Sequence, residues 1–286
     1  MRNRWILVAA LAAPGLVPTA RGEMIPPRPD TLLRTSPDFA FGLKGTLWLA
    51  AVDGEIQGDA GRVEGDSLDF NQDLDTDNDT VIPIVDAHVD LWETWRVQAS
   101  YWGTSFDGGS TADTAATFEG TTYAVGADLD SEVTLHRADV LVARTFISPR
   151  RGTHPERFEA GLGAKVFSFD TDITSVAAGS SDSIGDTVVL PVLSVRAEFL
   201  FYEDPDWSFG CEVGGNGMGI AYAKDRAAAG EAFVELYASW SRKVYAGFGW
   251  RYFTWASSHE DEGSGDGEDS FELEMQGITL SLMVWF

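Results

Sequence analysis

The sequence predicts an all-β fold: a closed antiparallel up-and-down transmembrane β-barrel of about ten strands, within a range of about 8 to 12. Three observations predict it. Apolar residues recur at every second position in run after run, which sets successive side chains on opposite faces of a strand. Long acidic connections alternate with mostly short ones. Beyond the first 22 residues no stretch of about 18 uninterrupted apolar residues occurs, so any bilayer crossing falls to strands.

The chain opens with Arg2 and Arg4, an apolar stretch from Trp5 to Leu16, and small residues at Ala20 and Gly22. This is the pattern of a Sec signal peptide over 1–22, with cleavage after Gly22 or Ala20 and no Cys following to carry a lipid. Residues 23–37, with Pro26, Pro27, Pro29 and Pro37, read as an extended periplasmic linker, because Pro breaks helices and disfavours central sheet positions. The barrel domain takes residues 38–286.

The strands follow in order. Over 39–49, Phe39, Phe41, Leu43, Leu47 and Leu49 share one face, and Lys44, Thr46 and Trp48 the other. Over 81–91, Val81, Val85, Ala87, Val89 and Leu91 alternate with Asp86, His88 and Asp90; over 95–105, Trp95, Val97, Ala99 and Tyr101 alternate with Arg96, Gln98 and Ser100. The run at 131–147 sets Ala138, Val140, Val142 and Phe146 against Arg137 and Asp139, with Arg144 on the apolar face. Runs at 158–168, 187–201, 207–217, 232–240, 244–256 and 270–286 complete the set. Residues 115–124 also look like a strand, but an eleventh span would put the termini on opposite sides, so they belong inside the third long connection.

Composition narrows the partners. Against 20 Lys+Arg stand 45 Asp+Glu, a formal charge of -25, which repels phosphate backbones and excludes nucleic acid. The single Cys211 allows neither an intramolecular disulfide nor a Cys/His zinc site. Ten acids and one Arg lie between 53 and 79, and six acids without a base between 258 and 269, so the long connections are acidic.

With the apolar face on lipid, Lys44, Asp86, Arg96, Arg137, Lys165, Arg196, Glu198, Glu212, Glu235, Arg251 and Glu274 are expected to point into the lumen. An unpaired charge there is costly, so the expectation is a paired network that plugs a narrow barrel. In the loop 66–79, Asp73, Asp75, Asp77 and Asp79 offer hard oxygen ligands at alternate residues, a weak Ca2+ or Mg2+ candidate. The EF-hand pattern fails there, since Asn78 replaces the turn Gly and Ile84 the bidentate Glu. No other cofactor is implied. His88, between Asp86 and Asp90, has the neighbours of an oriented imidazole but falls near an inner turn; His136, His154 and His259 complete no Ser-His-acid set, so no catalytic residue is assigned.

The last strand reads Ile278, Leu280, Leu282, Val284, Phe286, apolar at every second residue and ending on an aromatic. With the signal peptide, this resembles the Gram-negative outer-membrane β-barrel proteins, the small porin-like barrels, whose last strand carries such a pattern as an assembly signal. The resemblance implies an outer-membrane location, contact with lipid and lipopolysaccharide, and recognition by the barrel-insertion machinery. It leaves open a non-catalytic surface, structural or binding role, a narrow solute channel, and an outer-membrane hydrolase acting on protein or lipid A. Alternation alone also fits a secreted soluble β-sandwich binding protein, with the apolar face inside and the charges outside.

Overall fold

The structure, a computed structural model, describes residues 39–59, 65–76, 79–91, 94–113, 115–147, 156–176, 180–204, 206–222, 225–241, 243–260 and 268–286. The expected signal peptide and linker lie outside them. The strands are β1 (Phe39–Gln57), β2 (Ser67–Asp69), β3 (Asp79–Leu91), β4 (Trp95–Thr111), β5 (Ala116–Phe118), β6 (Thr121–Tyr123), β7 (Asp128–Ile147), β8 (Glu156–Ser175), β9 (Ser180–Glu203), β10 (Trp207–Tyr222), β11 (Asp225–Trp240), β12 (Val244–Glu260) and β13 (Glu268–Trp285).

Ten long strands, β1, β3, β4 and β7 to β13, follow one another in chain order in one antiparallel sheet. β1 returns to pair with β13 from Gly42↔Trp285 to Gln57↔Ser270. The barrel is closed. Gly277 permits close contact at this junction, since a Cβ there would lie 1.8 Å from the Leu49 carbonyl oxygen. One closed wall rules out the two separate sheets of a sandwich.

Burial runs inside out. Leu47, Val81, Val85, Leu162, Val189, Leu236 and Leu282 are all at least half exposed on the outer face, while Lys165 inside is 1% exposed. A belt of such residues around a wall closed by the β1–β13 seam is the arrangement by which strands cross a bilayer. At its inner margin, level with the start of β1 and the end of β13, Trp95, Phe146, Phe158, Trp207, Phe209, Trp240 and Phe286 form an aromatic ring. Arg144, also on this outer face, lies over Phe146 with its guanidinium carbon 5.4 Å from the ring centroid. Its out-of-phase charge is thereby at the membrane edge rather than within it.

The expectation of a polar lumen holds for its inner part and fails towards the outside. Trp48, Trp102, Phe167, Phe253, Trp255 and Phe271 are inward and almost fully buried, joined by Ile56, Phe70, Leu74, Ile82, Phe169, Leu190 and Met275. Their rings interlock, with Phe167 stacked on Trp255 at 4.9 Å and Phe169 on Phe271 at 4.3 Å. Trp102 and Trp255 are core residues, whereas Tyr101, Trp250 and Tyr252 face outward. The signal was in runs where both faces are apolar, such as Leu47 to Val52, since there the polar face of the alternation disappears.

Residues 115–124 lie outside the barrel wall. They form the β5–β6 hairpin, whose turn has left-handed Glu119 (φ 47°) and Gly120 (φ 77°). Phe118 and Tyr123 of this hairpin are buried against the core. Tyr123 donates a 2.6 Å hydrogen bond to Asp182, and burial together with that carboxylate pushes its phenol well above the ordinary value. The hairpin thus caps the outer mouth.

The strands run further outward than the alternation suggested. β8 and β9 continue to a Ser175↔Ser180 pair, closing most of what read as a loop from 169 to 186, whereas the β10–β11 hairpin turns back at Tyr222↔Asp225. The outer rim is uneven.

Replacing Trp255 with Ala is expected to cost about 3–5 kcal/mol, the usual range for a buried aromatic. Denaturant unfolding in detergent, followed by heat-shifted gel migration, measures it. Leu280→Ala, on the lipid face, should change stability far less; equal losses would contradict the inside-out packing.

Candidate functional site

Two regions gather chemistry: the inner lumen and the outer rim. In the lumen, β11 supplies the hub. Glu231 receives Arg137 at 2.8 Å, Lys165 at 2.9 Å and Arg251 at 3.4 Å, and accepts a 3.0 Å hydrogen bond from the Asn216 amide. Asp139 pairs with the same Arg137 guanidinium. Next along β11, Glu235 holds Lys44 at 2.8 Å and accepts from Ser281 and the Tyr245 hydroxyl. Arg196 pairs with Glu212 at 3.1 Å and donates to Gln98, while the Tyr237 hydroxyl donates to Glu198.

At the inner mouth Arg96 makes a two-pronged bond to Asp90 at 2.7 and 3.0 Å and reaches Glu159 at 3.3 Å; Arg157 joins Glu159 at 2.7 Å. Charges removed from water have been paired from five or more strands, as desolvation requires. Between them lies a polar cavity of about 70 Å³, lined in part by Asp86, His88, Arg137, Asp139, Arg196 and Glu231.

Of the eleven residues expected in the lumen, ten face it: Lys44, Asp86, Arg96, Arg137, Lys165, Arg196, Glu198, Glu212, Glu235 and Arg251. Glu274 is a correction. It is in phase with outward Ile278 and Leu280, and beside Tyr252 on the outer face, because the inward residues of β13 are Phe271, Leu273 and Met275. Sequence reading missed Glu231, since the strand appeared to begin at 232; its phase with Glu235 two turns of the pleat later was the available signal. Asp90, Asp139 and Glu159 also enter the network, in phase with neighbours already assigned inward.

His88 is buried in the inner half, its ring 4.4 Å from that of Trp285, and cannot be reached from outside. His136 is on the outer face, where its Nδ1 lies 3.1 Å from the Tyr101 hydroxyl. His154 falls outside the described residues. His259 lies on β12 at the outer rim, opposite Asp225 on one side and Asp269 on the other.

The acidic loop uses its carboxylates on itself. Asp69 accepts the Asn71 and Gln72 amides, and Asp73 accepts the Asp69 amide at 2.9 Å. Asp75 is left-handed at φ 48°, Asp79 begins β3, and Asp77 falls outside the described residues. Among the described residues no three His, Cys, Asp or Glu groups gather as a cation site. Above the belt, however, outward carboxylates are paired like with like across strands. Glu55 stands opposite Glu272 and Asp69, Glu132 opposite Asp107 and Asp172, and Asp53 opposite Glu274. Burial and the neighbouring Glu55 charge raise the Glu272 carboxyl above its ordinary value.

No protein-family model and no curated protein matches the sequence. Solved structures similar in arrangement include the outer membrane protease OmpT of Escherichia coli, at 13% identity and TM-score 0.47, covering 88% of this chain and 98% of that one. The attachment invasion locus protein Ail of Yersinia pestis, in complex with the heparin analogue sucrose octasulfate, matches at 9% identity and TM-score 0.36 over 86% and 99%. The translocator domain of the autotransporter NalP from Neisseria meningitidis matches at 10% and 0.36 over 85% and 88%. What this chain shows for itself is a closed antiparallel barrel of ten long strands. Nothing of those proteins' chemistry transfers at such distances.

Glu231→Gln would leave three lumen cations short of a counter-charge, at a cost of about 3–5 kcal/mol. Glu274→Gln, on the outer face, should fall within about 0.5 kcal/mol of the parent. Unfolding midpoints of the two variants check the assignment, and the reverse order would sink it.

Proposed function

We propose that the protein is an integral outer-membrane barrel with a sealed interior and a non-catalytic surface role, its acidic rim engaging cationic partners at the lipopolysaccharide layer. One observation carries the reading: the carboxylates set directly opposite one another across strands above the belt. Like charges so placed destabilise a sheet, so they do nothing for the fold itself. They are positioned to attract cations from outside. The interlocked aromatic core under its hairpin cap supports a closed lumen and argues against the solute channel.

A second reading rests on His259. Its cross-strand neighbour Asp269 is a carboxylate residue at the outer rim, the setting in which an imidazole serves as general base for a hydrolase.

Purified barrel in liposomes is expected to adsorb polylysine in a salt-sensitive manner. The variant combining Glu55→Gln, Glu132→Gln and Asp172→Asn should lose most of that binding; unchanged adsorption would overturn the rim's role. Planar-bilayer recordings should show no conductance steps, and steady single-channel openings would reinstate the channel. Peptide or lipid A cleavage abolished by His259→Ala would establish the hydrolase instead.

A further inference from the structure

The barrel wall has two breaks, each beside a proline within a strand. The β3–β4 ladder runs only between Leu91↔Trp95 and Ile84↔Trp102, and Pro83 is the next residue outward. The β9–β10 ladder ends at Leu193↔Gly217, and Pro191 lies just beyond it. Proline has no N–H to give a ladder, so it is tolerated where pairing is interrupted.

The chain fills the first break itself. Thr76 bridges to Gly108, Ser110 donates to the Asp73 carbonyl at 2.5 Å, and the Thr80 and Thr104 hydroxyls meet at 3.5 Å. At the second break, no ladder among the described residues joins 180–192 of β9 to 218–222 of β10. Met218 is the first β10 residue beyond the last ladder pair. It is in phase with lumen-facing Glu212 and Asn216, yet 42% exposed.

This opening continues the lipid belt. Val189, on the outer face of β9 beside it, is 58% exposed, and Leu193 at its lower end is 53% exposed. Inside, Val188 and Ile220 pack against the apolar core. Two facing strand edges present both N–H and C=O groups, which hydrocarbon cannot satisfy. The occupant must therefore carry hydrogen-bond donors and acceptors at that depth, and a hydrocarbon chain below them.

We propose that the β9–β10 opening is a binding groove for one lipid A molecule of the outer leaflet, with an amide-linked hydroxyacyl group against the free strand edges and its chain along Val189, Leu193 and Met218. Ester-linked phospholipid offers acceptors but no donor at the linkage, which is the chemical reason to prefer lipid A. The inference rests on the outer-membrane reading above. Pro191 holds the groove open by denying the ladder an N–H.

Native mass spectrometry of the full-length barrel, loaded in separate arms with lipid A and with phosphatidylethanolamine, tests the proposal. One lipid A should remain bound after detergent exchange, with phosphatidylethanolamine retained far less. Pro191→Ala and Met218→Asp should each reduce lipid A retention about tenfold, comparable to losing one net hydrogen bond or its equivalent in contact. Pro83→Ala, at the filled break, should leave retention unchanged. Equal retention of the two lipids, or of lipid A by parent and both variants, would overturn the groove. Carbonate extraction and heat-shifted migration are read first on every variant; a parent chain that fails to insert overturns the membrane reading itself.

Discussion

Hydrocarbon offers backbone amides nothing to bond with, and this constraint governs the molecule. Each N–H and C=O at membrane depth needs a hydrogen-bonding partner, in nearly all of the wall a neighbouring strand, and the first strand must find the last. The long β1–β13 register meets that need, helped by the absence of a side chain at Gly277. Once the wall is closed, alternation leaves each strand residue two environments, lipid or lumen. The order of the sequence follows from that choice.

The lumen is then divided along its axis. Towards the outside it is packed like the core of a soluble protein, with aromatic rings filling the width of ten strands. Towards the inside it is ionic, and Glu231 collects three cations that arrive from β7, β8 and β12. The two parts meet physically, because Arg137 and Arg251 lie about 6 Å from the Phe253 and Trp48 rings, at 5.9 Å in each case. A cation that both pairs with Glu231 and covers an aromatic face ties the ionic region to the apolar one.

The wall was legible because a period of two survives in any strand, whatever it faces. All ten spans and the outward side of residues such as Leu43, Val85 and Leu280 could be read that way. Strand ends were not legible, because above the membrane outward residues become polar and the contrast fades; Glu231 was lost for that reason. Period also says nothing of what fills a lumen. Trp48 was on the inward face from the start, but its burial depends on Trp102 and Phe253, which come from distant strands. Glu274 was assigned inward against its phase: it falls in step with outward Ile278, Leu280 and Leu282, and the inward series of Phe271, Leu273 and Met275 leaves it no other direction.

The unequal heights of the outer strands have a steric consequence. Where the tall β8–β9 pair stands next to the low β10–β11 hairpin, the rim drops abruptly instead of forming a level circle. A large visitor descending onto the cell is screened by a parapet on one flank and meets a low sill on the other. Approach to the capped mouth is thus directional, although the cylinder beneath it is nearly uniform.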